Sequence, residues 1–263
     1  MKHLFLPFFS LLYFGAGGQS IVTSKKDSIG SATITYRTAC YGKSDSDIVF
    51  VNVHENESTS VQAAKQVLDT AKKYCLTQLQ HRGIRFVTFS FKGKTFTIDP
   101  NRIYTSKGAL ASLKKNSRNY KDGIFAEVLK SVNLLGANYT ATYINHKKLV
   151  VALHNNTNGE PLSIITYKSG NEAKNAAEVY MNLQQDPDDF FLTTEKQIFD
   201  FLKLKGFNVA LQNNENVLDD GSLSVYAAKK KIPYINIEAQ EHHVAEQKKM
   251  MEAVLDYIKT KNL

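Results

Sequence analysis

The segment Asp47-Ile48-Val49-Phe50-Val51-Asn52-Val53-His54-Glu55-Asn56-Glu57 carries an apolar, β-branched run into an imidazole and a carboxylate three positions apart. A run this short, with Ser and Asp ahead of it and polar residues behind, predicts a buried strand. His54 and Glu57 then fall in the turn at its carboxyl end, where open α/β sheets leave a crevice for ligands. From that turn both side chains can reach one cation. Zinc takes nitrogen and oxygen donors at roughly 2.0–2.2 Å and, when catalytic, keeps three protein ligands and an open position for water. The remaining chain must therefore supply a third ligand, a base and an anchor for substrate.

Three more places offer such groups. Asp99-Pro100-Asn101-Arg102 is expected to form an exposed polar loop, and Lys148-Leu149-Val150-Val151-Ala152-Leu153-His154 repeats the theme of a buried strand ending in histidine. Ile232-Pro233-Tyr234-Ile235-Asn236-Ile237-Glu238 is the last strand and ends in a carboxylate. Taken in order, the His-x-x-Glu of His54 and Glu57, the Asp-x-Asn-Arg of Asp99, Asn101 and Arg102, the strand-terminal His154 and the strand-terminal Glu238 resemble the zinc carboxypeptidase superfamily. The resemblance runs from about residue 45 to 240. The short distance from His-x-x-Glu to Asn-Arg is closer to its succinylglutamate desuccinylase/aspartoacylase branch than to the digestive carboxypeptidases.

That resemblance implies roles. His54, Glu57 and His154 would hold one zinc ion per chain, which lowers the pKa of a bound water to around 7. Glu238 would be the general base that takes the water proton and returns it to the leaving amine. Arg102 would clamp a substrate carboxylate through its guanidinium fork, with Asn101 donating beside it. The family also places an arginine near the developing oxyanion. Arg82, Arg85 and Arg118 are the candidates, and Arg85, heading a strand, is the one chosen. Tyr226 is taken as a substrate-capping tyrosine. The implied reaction is hydrolysis of an amide next to a free carboxylate, in a small peptide or, alternatively, an N-acyl amino acid. A zinc-containing binding protein without turnover is a further alternative.

Other polar residues read more plainly. Glu241 carries the same chemistry as Glu238, but Glu238 ends the β-branched strand. His242 and His243 are adjacent and point apart, so they are not read as a second metal site. Glu55 and the run Asp186-Pro187-Asp188-Asp189 read as solvated.

Strands alternating with amphipathic helices predict an α/β fold: a single domain with a central mixed, mainly parallel twisted sheet flanked by helices. Helices are expected over about 60–74, 121–135, 171–183, 194–205 and 244–259, with a short one after Asp219. Further strands are expected over 32–38, 84–90, 162–167 and 207–212, with a hairpin turned at Gly93.

The hydrophobic content of 43%, with 15 Phe and 13 Tyr, is ample for a core. The first 18 residues have a basic start, an apolar run too short to span a bilayer, and small residues before Gln19. They read as a signal peptide, which leaves residues 19–263 as the catalytic domain of an exported protein, periplasmic or secreted. No membrane span is expected, and a monomer is. The net charge of +8 is spread along the chain, not gathered with aromatics, so nucleic acid is not a partner. Cys40 and Cys75 are open to two readings, a disulfide permitted by export or two buried thiols.

Overall fold

A computed structural model describes residues 20–42, 47–118, 123–158 and 162–263. The proposed signal peptide lies outside the described residues. In chain order the elements are β1 (Ser20–Ile29), β2 (Ala32–Tyr41), β3 (Ile48–Asn52), α1 (Ser58–Ala71), β4 (Cys75–Gln80), β5 (Val87–Phe91) and β6 (Lys94–Ile98). A 3-10 turn at Pro100–Arg102 is followed by α2 (Ser106–Asn116), α3 (Phe125–Tyr143), β7 (Leu149–Asn156), α4 (Ile164–Ser169) and β8 (Ala176–Tyr180). The chain closes with β9 (Phe190–Thr193), α5 (Lys196–Leu204), β10 (Val209–Gln212), α6 (Leu223–Lys230), β11 (Tyr234–Gln240) and α7 (Val244–Thr260).

Nine strands form one mixed sheet in the order β1-β2-β4-β3-β7-β11-β9-β10-β8, with β5 and β6 as a separate hairpin. Its centre is parallel: β4, β3, β7 and β11 run the same way. Such strands are buried on both faces, which is why β3 and β7 read as continuous apolar runs. One face, with Phe50, Leu153, Ile235 and Ile237, packs under α1, α5 and α7. The other, with Val49, Val51, Val150, Ala152 and Tyr234, packs against α2, α3 and the hairpin.

Several expected elements differ. Cys75–Gln80, not singled out in the sequence, is a strand of the main sheet between β2 and β3. Residues 162–167 do not form a strand: Ser163 and Thr166 make a reciprocal capping box that starts α4. The helix expected over 171–183 is replaced by a 3-10 turn and the edge strand β8, which pairs with β10. Cys40 and Cys75 face one another across β2 and β4 and are joined as a disulfide.

Candidate metal centre

Parallel neighbours bring their carboxyl ends to one edge of a sheet, and three of them deliver the candidate residues. β3 leads into His54 and Glu57, β7 carries His154, and β11 carries Glu238 directly beside His154 in the ladder. Strand alternation then sets direction. His154 shares parity with Ala152 and Val150, and Glu238 with Asn236 and Tyr234, so both project on the face that packs against α2 and α3.

The turn after β3 closes with a bond from Glu57 N to His54 O of 3.1 Å, and α1 begins at the next residue. This turn is held by polar side chains at the strand ends. Asn52 donates to Leu153 O at 3.1 Å and to Ser60 Oγ at 3.3 Å, and Ser60 Oγ donates to Glu57 O at 2.8 Å. Asn155 accepts from Ser60 N at 2.8 Å and donates to Gln247 Oε1 at 2.8 Å, while Gln247 donates to His154 O at 3.2 Å. The ends of β3, β7, α1 and α7 are thereby tied into one network, which carries no sequence signal because its members lie far apart along the chain.

Within that frame the three proposed ligands converge. His54 Nδ1 lies 2.7 Å from Glu57 Oε1, and His154 Nδ1 lies 2.8 Å from Glu57 Oε2. The two imidazole rings are 5.1 Å apart between centroids, and one donor atom from each of the three residues falls within 4.8 Å of the others. All three side chains are buried. His54 Nε2 is bonded to Asp99 Oδ1 at 2.8 Å, the outer contact that fixes an imidazole's tautomer and aims its other nitrogen at a metal. Among the described residues His154 Nε2 is buried without a hydrogen-bond partner, and the ring is bonded through Nδ1, which faces Glu57. A His-Glu-His set with an oriented first histidine suits zinc.

Electrostatics follows the geometry. Burial acts to lower the pKa of His54, but the carboxylates of Glu57 and Asp99 outweigh it and hold it up to about 9. Burial acts to raise Glu57, yet His54 and His154 bring its carboxyl well below the usual range. Asp99 is lowered in the same way, by His54 and then by the nearby arginines. Glu238 goes up: burial dominates, His154 opposes it, and the Glu57 charge adds to the rise. Its carboxylate accepts from Asn236 Nδ2 at 2.9 Å, two positions back on the same strand face.

Of the three arginines weighed, Arg85 is the one bonded to the cluster. Its Nη1 donates to Glu57 Oε1 at 2.9 Å and its Nη2 lies 3.5 Å from Asp99 Oδ2. Arg102 sits at the rim with 34% of its side chain exposed; Nη1 donates to Asn101 O at 2.7 Å and Nε pairs with Asp220 Oδ2 at 3.2 Å. Asn101 uses its side-chain oxygen to accept from Leu223 N at 3.1 Å, at the start of α6. The 219–222 turn is seated on this loop through Gly221, whose φ of +81° and whose contact with Arg102 O leave no room for a Cβ. Asp220 and this docking carried no sequence signal.

Two expectations are corrected. Tyr226 does not cap the site: its hydroxyl donates to Asn145 Oδ1 at 2.8 Å, in the turn ahead of β7 and so at the opposite end of the sheet from His154. Tyr167 on α4 is the tyrosine near the rim, buried, with its hydroxyl pushed up by burial and then by the charges of Glu172, Glu238 and Asp220. The acidic run is solvated only in part, at the exposed Asp186. Asp188 and Asp189 are buried, and Asp189 accepts from Gln240 N at 2.8 Å and pairs with His243 Nδ1 at 3.0 Å.

A cavity of about 110 Å³ opens beside the rim, with Tyr167, Glu172, Leu192, Asp220 and Ser222 in its wall. Larger cavities of about 480 Å³ and 390 Å³ lie elsewhere, against the end of α7 and beside His243, and touch none of the cluster residues.

No family model and no curated protein matches the chain. Solved structures do. A Shewanella frigidimarina NCIMB 400 protein provisionally named a succinylglutamate desuccinylase/aspartoacylase is 10% identical, with 91% of this chain and 72% of that one covered and a TM-score of 0.43. The Agrobacterium tumefaciens gene product Atu2144 is 12% identical over 82% of this chain and 89% of its own, with a TM-score of 0.48. Thrombin activatable fibrinolysis inhibitor is 10% identical over 91% and 72%, with a TM-score of 0.48. The neighbours of this chain among solved structures thus include proteins named for the branch that its motifs resemble.

Proposed function

We propose that this protein is an exported, zinc-dependent hydrolase that cleaves an amide bond next to a free carboxylate. The observation that carries the reading is the convergence of His54 Nδ1, Glu57 and His154 Nδ1 at one buried point, with Glu238 beside His154 on the neighbouring strand. Zinc held by those three residues supplies a Lewis acid and lowers the pKa of water to around 7.

The other residues have separate tasks. Glu238 takes a proton from water as the oxygen adds to the amide carbon, and returns it to the nitrogen as the carbon–nitrogen bond breaks. A carboxyl raised by burial suits both halves, because it holds a proton closer to neutral pH than a solvated glutamate does. Arg85 puts a guanidinium against the Glu57 and Asp99 carboxylates, where it can offset negative charge growing on the carbonyl oxygen. Arg102 presents the rest of its fork to the substrate carboxylate while Asp220 fixes its Nε. The cavity beside Asp220 has room for a side chain of a few heavy atoms, given that a water occupies about 30 Å³.

The disulfide between Cys40 and Cys75 supports export, since such bonds persist in oxidising compartments. Among the described residues no helix is long and apolar enough to cross a membrane. Peptides and N-acyl amino acids share the carboxylate and the amide, and comparing N-acetyl dipeptides with N-acyl amino acids as substrates separates the two.

The reading is tested with purified protein equilibrated in zinc. Elemental analysis should give one zinc per chain, and Glu238→Gln should keep that zinc while product formation drops about 10²–10⁴-fold. Protein that emerges without zinc, or a Glu238→Gln variant as active as the parent, would overturn it.

A further inference from the structure

Glu55 lies between the two proposed ligands of the His54–Glu57 turn and reads from the sequence as a solvated glutamate. In the structure its Oε2 accepts three consecutive backbone amides: His81 N at 2.5 Å, Arg82 N at 2.8 Å and Gly83 N at 2.7 Å. Successive N–H groups closing on one anion form a nest, and hydrogen bonds to a carboxylate are about twice as strong as neutral ones.

The segment so held joins β4, which ends at Gln80, to β5, which begins at Val87. It has no helix or sheet ladder of its own. Apolar packing does little to fix it, because Ile84 and Phe86 are 48% and 39% exposed. Gly83 turns the chain at φ +72° in open space, so the glycine serves the backbone conformation and not a contact. Two residues beyond it stands Arg85, whose guanidinium reaches Glu57 and Asp99. The two carboxylates of one turn therefore grip one loop: Glu55 by its backbone and Glu57 by its arginine.

We infer that Glu55 is a positioning residue for Arg85, holding the 81–83 backbone so that the guanidinium stays against the metal-ligand turn. The inference rests on the role proposed for Arg85, but the anchoring itself can be read without any turnover. A long side chain on an irregular loop loses conformational freedom when it is fixed in place, and an anchor two residues away meets part of that cost beforehand.

The experiment is a double-mutant cycle on the zinc-loaded protein with Glu55→Ala, Arg85→Ala and the pair, plus Glu55→Gln, which keeps an acceptor oxygen. The probe is whichever N-acetyl dipeptide or N-acyl amino acid the parent hydrolyses. Removing a single oxyanion donor costs about 10²–10³ in kcat, and an unanchored one should lose part of that. Glu55→Ala is expected to lower kcat about tenfold or more with KM within about twofold, and Glu55→Gln less. Zinc content should stay unchanged. In the Arg85→Ala background the same substitution should change kcat less than about twofold.

A merely structural glutamate would lower activity equally in both backgrounds, and that result overturns the inference. Hydrogen exchange and the NMR signal of the Arg85 Nε–H answer independently of activity. In Glu55→Ala the amides of residues 81–83 should exchange faster and the Arg85 signal should lose order, with β4 unaffected. If those signals do not move, the anchoring is wrong. If they move while the parent hydrolyses nothing, it is the hydrolase reading that fails.

Discussion

Two buried polar regions lie on the same face of the sheet and are built in opposite ways. At the carboxyl ends of β3, β7 and β11, charges of both signs are interleaved: His54, Glu57, Asp99 and Arg85 are joined by contacts of 2.7–3.5 Å. Further along that face Tyr36 and Tyr104 each pack at a tilt against Tyr139, with ring centroids 5.3 Å and 5.6 Å apart, and the three hydroxyls are buried without hydrogen-bond partners among the described residues. Burial raises all three phenols, so this cluster is neutral at any ordinary pH. Unpaired hydroxyls among aromatic rings cost the fold something and offer no charge. The cluster of charges costs more to bury, and only compensation within it makes that tolerable. The difference shows where the molecule keeps its chemistry.

Removing the central carboxylate should break the comparison hardest. Glu57 is the residue that both histidines and Arg85 face, so Glu57→Ala leaves two imidazoles and a guanidinium without their shared partner. Breaking a buried ion pair by deleting one partner costs about 3–5 kcal/mol. Chemical denaturation should show a loss of that order in metal-stripped protein, and elemental analysis should show less than one zinc per chain after dialysis against zinc. A variant that keeps full zinc and full stability would mean that Glu57 is not the hub.

The pH dependence of the metal-stripped protein sharpens the contrast. His54 is held up from 6.5 to about 9, so its contribution to stability is complete below about 6.5 and is lost as pH rises through 9. Glu57 and Asp99 are lowered from 4.5 and 3.8, so their contributions are complete above those values and are lost as pH falls below them. Stability should therefore peak between about pH 5 and 6.5 and decline on both sides. With zinc bound the alkaline decline should flatten, because the metal takes the place of the proton on His54. Thermal unfolding from pH 4 to 9.5, with zinc and with chelator, would show it; a metal-stripped protein as stable at pH 9 as at pH 6 would contradict the charge pattern.

The charged centre was the more legible of the two regions, and the reason is physical. A strand buried on both faces must be apolar along its length, so a polar residue at its end stands out, and His54, His154 and Glu238 all do so. What one line of sequence conceals is pairing between distant turns. Glu55 looks like any solvated glutamate until the 81–83 amides close on it, and Asp220 like any loop aspartate until it meets Arg102. Tyr226 turns to Asn145 and away from the site, because a tyrosine's reach says nothing of its direction. The errors in the elements have the same origin. Leu162-Ser163-Ile164-Ile165-Thr166-Tyr167 has the composition of a strand, but its Ser–Thr capping box starts a helix. Ala176-Ala177-Glu178 favours helix by propensity, yet pairing with β10 at the sheet edge makes it a strand. Cys75-Leu76-Thr77-Gln78 lacks an apolar run because Thr77 and Gln78 bond across to Thr38 and Arg37 on β2.

The smallest effect belongs to the tyrosines, and it tests the comparison from the other side. Tyr139 is fully buried, packs against Tyr36, Tyr104 and Tyr143, and its hydroxyl has no hydrogen-bond partner among the described residues. Tyr139→Phe removes an oxygen that makes no bond and keeps the ring that does the packing. Deleting a bonded hydroxyl costs about 0.5–1.5 kcal/mol net; deleting an unbonded one recovers its desolvation penalty and should be neutral or stabilising by up to about 1 kcal/mol. Zinc content and turnover should be untouched, since the rings that Tyr139 packs against, Tyr36, Tyr104 and Tyr143, are not residues of the metal centre. A loss of more than about 1 kcal/mol in denaturant would show that the hydroxyls bond one another or shared waters. The fold would then hold two organised polar sites instead of one.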